Sequence, residues 1–207
     1  MTVIRVTSVS DGFKQLQASM EGVTNNLTKE LGIVTWMAAK WTEKLIALRV
    51  YEELNVTQKA IKIAITKVRT SPLEASVILK KTVRISGREF KPKQNKSGVM
   101  IKISRKRGAK LIPSAFQGPR PGVMKTSWKG NAFVRKGKAR LPIVKLRGPS
   151  PWGVFVKNNM LPITVEETRE YLSLALAKRI RFNELKKAGG LNWQQADYIS
   201  ADATGEN

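Results

Sequence analysis

The stretch PLEASVILKKTVRISG, Pro72–Gly87, decides how the chain is read. From Ala75 through Val77, Leu79, Val83 and Ile85 every second residue is apolar, with Lys81 in the same series. A period of two puts those side chains on one face of an extended strand, and Gly87 ends it. Upstream of Pro72 the apolar period is helical, because proline lacks the N–H a helix needs and stops one there. The change of period at that proline predicts an α+β chain: helices first, then strands.

Working downstream, Val99, Ile101 and Ile103 form a second alternating run. The intervening GREFKPKQNKSG, Gly87–Gly98, reads as a polar basic loop that reaches outward while joining two antiparallel strands in a hairpin. Further short strands are expected from Asn131 to Val134 and from Leu141 to Leu146, between segments rich in Gly, Pro, Lys and Arg.

Working upstream, a short alternating run, Val3, Ile4, Val6, precedes Ser10 and Asp11, which stand where a helix N-cap would be. Phe13, Leu16, Met20, Val23 and Leu27 then repeat at helical steps, and after Gly32 the pattern resumes with Val34, Met37, Ala38, Trp41, Leu45 and Leu48. Two helices, or one bent one, should end near Asn55. Thr57 is placed to cap a third short helix through Ile61, Ile65 and Val68, stopped by Pro72. Trp36, Met37, Trp41, Leu45 and Leu48 crowd one stretch beyond what a small sheet and one further helix can cover, so these are read as core or as subunit contacts.

At the C-terminal end, Thr164 with Glu167 forms a capping-box pattern, followed by the apolar series Val165, Leu172, Ala175, Leu176 and Ile180. Glu166, Glu167 and Glu170 near its start, and Lys178, Arg179, Arg181, Lys186 and Lys187 near its end, are accounted for by the helix macrodipole, and Gly189 and Gly190 stop it. A single domain is expected over 1–187, divided into a helical part (1–72), a basic β-rich part (73–147) and a loop with the last helix (148–187). Residues 188–207 read as a polar tail whose charges are Asp197, Asp202 and Glu206.

The net charge is +23, and it is segregated. From Lys59 to Arg147 stand 25 Lys and Arg against Glu74 and Glu89, a net +23, so the rest of the chain is neutral. A field of that size attracts nucleic acid or acidic protein. The groups within it are Lys91, Lys93 and Lys96 in the expected hairpin loop, RKRGAK from Arg105 to Lys110 (Arg105, Lys106, Arg107, Lys110), and Arg135, Lys136, Lys138 and Arg140. They lack the aromatic spacing of an RNA-binding sheet, and no helix-turn-helix or zinc finger is legible, so charge complementarity without base readout is expected.

Much chemistry is closed to this composition. There are no Cys and no His among 207 residues, which removes thiol nucleophiles, disulfides, zinc sites built on either residue and the commonest general base. Glu52 with Glu53 and Glu166 with Glu167 are sequence neighbours that point apart on a helix and do not form an acid and base pair. The segments GPRPGVMKTS (Gly118–Ser127) and GNAFVRKGKAR (Gly130–Arg140) miss the phosphate-loop spacing. A non-enzymatic protein without metal or cofactor is expected. Lys40, Glu43, Lys44 and Arg49 interrupt the most hydrophobic region, so no membrane span is expected, and no secretion signal is legible in MTVIRVTSVSDGF.

The order of elements, a basic strand-forming segment and then LIPSAF (Leu111–Phe116), resembles the minor tail protein Z (tail completion) family of long-tailed bacteriophages, where a basic run precedes an I-P-x-A-F segment; Ile112, Pro113, Ala115 and Phe116 carry the match. The next matching stretch is VRKGKARLPIVKLRGPS (Val134–Ser150), with its basic turn, Pro142, Ile143 and Leu146, and a proline-containing loop before the last helix. The resemblance spans Thr57 to Phe155, and the chain departs from the family in a longer N-terminal helical region and in the acidic tail. It implies a structural role at the head-proximal end of the tail, beside tail terminator, tube and connector proteins and genomic double-stranded DNA. It further implies a homo-oligomeric ring in the virion, assembled in the host cytoplasm, with no cofactor. The alternative reading is a sequence-nonspecific nucleic-acid-binding protein, ribosome-associated or acting in packaging. Against it, the basic residues lie between apolar strand positions, whereas ribosomal proteins usually carry long basic extensions. A nuclease would need clustered acids for magnesium, and the basic part offers two.

Overall fold

The structure, a computed structural model, describes residues 2–7, 24–71, 73–118, 130–135, 137 and 142–187, with backbone only at 2–7, 24–27 and 183–187. The fold is α+β: helices combined with three small antiparallel sheets. The expected helix over Ser10–Val23 and the stop at Gly189 and Gly190 lie outside the described residues.

Strand β1 (Thr2–Thr7) is followed by a single long helix, α1 (Thr24–Glu53), which runs through Gly32. At 1.5 Å per residue its 30 residues span about 45 Å. Leu31, Val34, Ala38, Ala39, Ile46, Ala47 and Val50 are buried along it, and the buried hydroxyls of Thr35 and Thr42 donate back to the carbonyls of Leu31 and Ala38. Helix α2 (Gln58–Lys62) is capped as expected by Thr57, whose hydroxyl accepts from the Ala60 amide. It stops early, however. Ile65 and Val68, read as the continuation of that helix, lie on β2 (Ile65–Ser71), which pairs antiparallel with β3 (Glu74–Leu79). The β-branched run Ile65, Thr66, Val68, Thr70 prefers the extended chain and pairs back on β3. β3 is central in the sheet β1-β3-β2, and its buried Ala75, Val77 and Leu79 face α1.

The long strand expected from Ala75 to Ile85 is therefore broken. The Lys80 amide donates to the Ala64 carbonyl, closing the hairpin, and Lys81, expected on the inner face, is exposed over the Trp152 ring at 5.0 Å. Ile85 returns to the core on a different partner: its amide donates to the Pro149 carbonyl, the Gly148 amide donates to the Ile85 carbonyl, and Ser86 bridges Arg147. The hairpin expected between this strand and Val99–Ile103 does not form either. Gly87–Phe90 is a 3₁₀ turn whose Phe90 is buried, and β4 (Lys93–Asn95) pairs with β5 (Gly98–Ile101), which pairs with β6 (Lys110–Ile112). At Gly98, φ is +144° and a Cβ would meet the Ile112 carbonyl, so only glycine fits this crossing.

β7 (Ala115–Gln117), β8 (Ala132–Arg135) and β9 (Ile143–Lys145) form the third sheet, with β8 and β9 at the two expected places. The second and third sheets share a small core of Val99, Ala115 and Ala132, with Ile112, Val134 and Leu146 around it. Ile112 also packs on the main core, which collects Ile46, Val50, Ile61, Val77, Leu79, Phe90, Ile101 and Phe155.

Helix α3 (Pro151–Lys157) is capped by Ser150, whose hydroxyl accepts from the Gly153 amide at 3.0 Å, with proline in the first turn where no N–H is required. Helix α4 (Leu161–Lys187) begins one turn before the expected cap: Thr164 lies inside it, its buried hydroxyl donating to the Met160 carbonyl. α4 runs antiparallel to α1, on the side of α1 away from the sheet. Glu30 meets Arg179, Trp41 stacks on Tyr171 with centroids 4.8 Å apart, Thr42 meets Thr168 and Arg49 meets Glu167. The charges of α4 thus do more than complement its dipole, since two of them bind α1.

Candidate nucleic-acid interface

The expected basic groups fall into different situations. Lys91 follows the 3₁₀ turn in a left-handed conformation, Lys93 is on β4, Lys96 on the β4–β5 turn and Lys110 at the start of β6; all are exposed. Arg107 is exposed in the loop between β5 and β6. Lys136, Lys138 and Arg140 lie outside the described residues. Lys93 opposes Met100, which opposes Leu111, so the outer row of the second sheet alternates charge with apolar surface.

Arg105 and Lys106 serve the helical part. The Arg105 Nε donates to the carbonyls of Tyr51 (2.7 Å) and Leu54 (3.0 Å), a terminal nitrogen reaches the Val56 carbonyl, and the guanidinium stacks on the Tyr51 ring at 3.8 Å. The last turn of a helix leaves carbonyls without intrahelical donors, and a cation there also meets the negative end of the dipole. Lys106 pairs with Glu53 on the same turn.

The third sheet gathers Arg135 with cations that the sequence did not single out. In its register Phe116 opposes Phe133, which opposes Lys145. Directly opposed residues share a face, so these three are on one side, while Ala115, Ala132 and Val134 turn inward to the small core. Two residues along, Arg135 shares the outer face, its guanidinium over the Phe116 ring at 5.5 Å, and Arg147 shares it beyond Lys145, because Leu146 between them packs inward. The bridge from Arg147 to Ser86 extends the face by one more strand-like segment, where Ile85 points in and Arg84 points out. Ser86 and the buried Asn131 join their side chains across it at 3.0 Å. Arg84, Arg135, Lys145 and Arg147 are all exposed, around an aromatic centre in which Phe133 is buried. A signal for this face did exist in the sequence, the alternation of Lys145 and Arg147 about Leu146, but only register brings Arg84 and Arg135 to it.

Five ion pairs among the described residues lie elsewhere. Arg49–Glu167, Lys67–Glu43, Lys106–Glu53, Arg169–Glu166 and Arg179–Glu30 all involve α1 or α4. Between Lys80 and Arg147 the sequence holds one acid, the half-buried Glu89. Among the described residues no group of His, Cys, Asp or Glu could hold a metal ion, and no helix is long and apolar enough to cross a membrane.

Of the expected subunit contacts, Trp36 packs partly against the main core, Leu45 is half-buried, and Met37 and Leu48 are each 43% exposed on the same side of α1. Trp41 is 37% exposed while stacked on Tyr171. Searches against family models, curated proteins and solved structures returned no match to this chain.

Proposed function

We propose that the protein is a non-enzymatic structural component of a long-tailed phage, a tail completion protein at the head-proximal end of the tail, with its β-rich part turned toward the DNA channel. The observation that carries this reading is the division of charge within one fold: helices whose cations form ion pairs with acids, and second and third sheets whose strand cations are exposed, with one acid, Glu89, between Lys80 and Arg147. Self-repulsion makes such a surface costly unless a polyanion lies against it. The Leu111–Phe116 segment that resembles the tail family has a structural place in this fold. That segment is the turn from β6 to β7 that joins the second and third sheets, with Ile112 and Ala115 in their shared core and Pro113 turning the chain. A ring of subunits would bring Met37 and Leu48 of α1, and Leu174 of α4 at 61% exposed, against neighbours.

The test is a reconstruction of tails assembled with and without this chain. Rings at the head-proximal end, lost with the chain and accompanied by tails that fail to join heads, are expected. Its presence at the distal tip, or DNA binding by a protein absent from particles, would favour the packaging or ribosome-associated reading. A hydrolase activity abolished by a single acid substitution would remove the non-enzymatic assignment.

A further inference from the structure

We infer that the outer face of β7-β8-β9, extended by the 84–86 segment and carrying Arg84, Arg135, Lys145 and Arg147, is the surface that lies against the phosphate backbone of double-stranded DNA. This rests on the reading that the β-rich part faces DNA, and names which of its surfaces does so. Three features select it over the other basic groups.

The first is placement. Three of these cations stand on paired backbone, Arg135 opposite Ile143, Lys145 opposite Phe133 and Arg147 opposite Ser86, and Arg135 also lies over the Phe116 ring, so their backbone positions are held before binding. Ordering flexible side chains and loops is a main cost of association, and a preset array avoids part of it. Counted by register, from Ile143 opposite Arg135 to position 149 opposite Arg84, the four spread along roughly 20 Å of strand, while duplex DNA presents one charge per about 1.7 Å of its axis. Several phosphates therefore fall within reach of one copy.

The second is purity of sign. No acid lies on the strands that form the face, and from Lys80 to Arg147 the sequence holds a single acid, Glu89, outside those strands. The second sheet, by contrast, alternates Lys93 with Met100 and Leu111.

The third is the lack of an apolar anchor. Protein partners are held mainly by buried aromatic or aliphatic hot spots, with charges on the rim. Here Phe133 and Asn131 are buried, Phe116 and Ile143 are half-buried, and the fully exposed groups of the face are cations. Point charges around such a centre suit phosphates read without regard to sequence.

Two triple variants with the same change in net charge separate this face from general attraction: Arg84→Gln/Lys145→Gln/Arg147→Gln on the face, and Lys93→Gln/Lys96→Gln/Lys110→Gln on the second sheet. Binding to a mixed-sequence duplex of about 30 base pairs is followed by fluorescence anisotropy across a salt series, and circular dichroism checks that both variants fold. Losing three phosphate contacts makes the slope of log K against log salt shallower by about 2.7 and weakens binding roughly 10²–10³-fold near 0.1 M salt. The second-sheet variant is expected to lose less than about tenfold. Equal losses in the two variants, or a larger loss in the second, would overturn the assignment of this face while leaving a DNA-facing β part intact. Wild-type protein that binds an acidic polypeptide such as polyglutamate but no duplex DNA would overturn both.

Discussion

Arg105 separates a charge that holds the fold from a charge that meets a ligand, and the two roles respond differently to lysine. Its Nε–H is shared between the Tyr51 and Leu54 carbonyls at 2.7 and 3.0 Å, and its plane lies on the Tyr51 ring. A hydrogen bond from a charged donor contributes about 1.5 kcal/mol at the low end appropriate to a partly exposed site, stacking on the ring about 0.5 kcal/mol, and the helix dipole a few tenths more. Arg105→Ala should thus cost about 2 kcal/mol. Arg105→Lys should cost more than half of that although the charge is kept, because an ammonium has neither the planar fork nor the stacking surface. In a domain of this size 1 kcal/mol corresponds to roughly 2–4 °C, so the alanine variant should melt about 4–8 °C lower. Urea unfolding followed by circular dichroism gives the free energies, and an unchanged m-value keeps the comparison two-state. If Arg105 were instead a phosphate contact, lysine would be silent in stability and alanine would reduce the salt slope for DNA by about 0.9. Both substitutions falling within about 0.5 kcal/mol of wild type would refute the clamp.

Gly148→Ala places a Cβ 2.6 Å from Cζ of the buried Phe90 and closer still to its Cε2, so it should destabilise by about 1–3 kcal/mol; combining it with Phe90→Leu should recover part of that, and strict additivity in the cycle would refute the collision. Thr42→Val or Thr168→Val alone removes one side of the buried hydroxyl contact at 3.0 Å and should cost about 1 kcal/mol each, with the double variant costing less than the sum in chemical denaturation. Met37→Asp with Leu48→Asp should leave the isolated protein within about 0.5 kcal/mol of wild type, because both are exposed, yet abolish incorporation into tails in a complementation assay; normal incorporation would remove α1 as a subunit contact.

What the sequence made legible were elements stated by their own residues. Thr57 as a cap and strands at β8 and β9 are local signals, and each appears where expected, whereas the change from helix to strand expected at Pro72 falls earlier, between Lys62 and Ile65. Pairing was not legible, because it depends on residues far apart in sequence: Val83 and Ile85 continue the alternation of β3 but lie outside its ladder, beside the isolated Ser86–Arg147 bridge, and Phe90 looks like part of a basic loop while filling the core. The same limit applies to the charges. Arg105 and Lys106 read as the centre of a basic cluster, yet the carbonyls and carboxylate that bind them come from α1, about fifty residues earlier. Glu166 and Glu167 read as dipole partners, and it takes the antiparallel docking of α4 on α1 to give Glu167 its arginine.

The division of labour between the two parts follows from how each is stabilised. The helical part owes its stability to a large continuous core and to ion pairs that cross α1, so it tolerates charge of both signs and remains neutral. The sheets beyond Leu79 have a core of small residues, Val99, Ala115 and Ala132, and hold together through backbone ladders and through Phe90, Ile101 and Ile112, which tie them to the helical part. Backbone hydrogen bonds are indifferent to side-chain charge, which lets the outer faces of these strands carry lysine and arginine without loss of register. Mutual repulsion among those cations weakens the small sheets in isolation, and a polyanion lying along them removes that repulsion. Any ligand that binds the folded form and not the unfolded one stabilises it by mass action. The part of the molecule least able to stabilise itself is therefore the part whose folding a bound phosphate backbone would most reinforce.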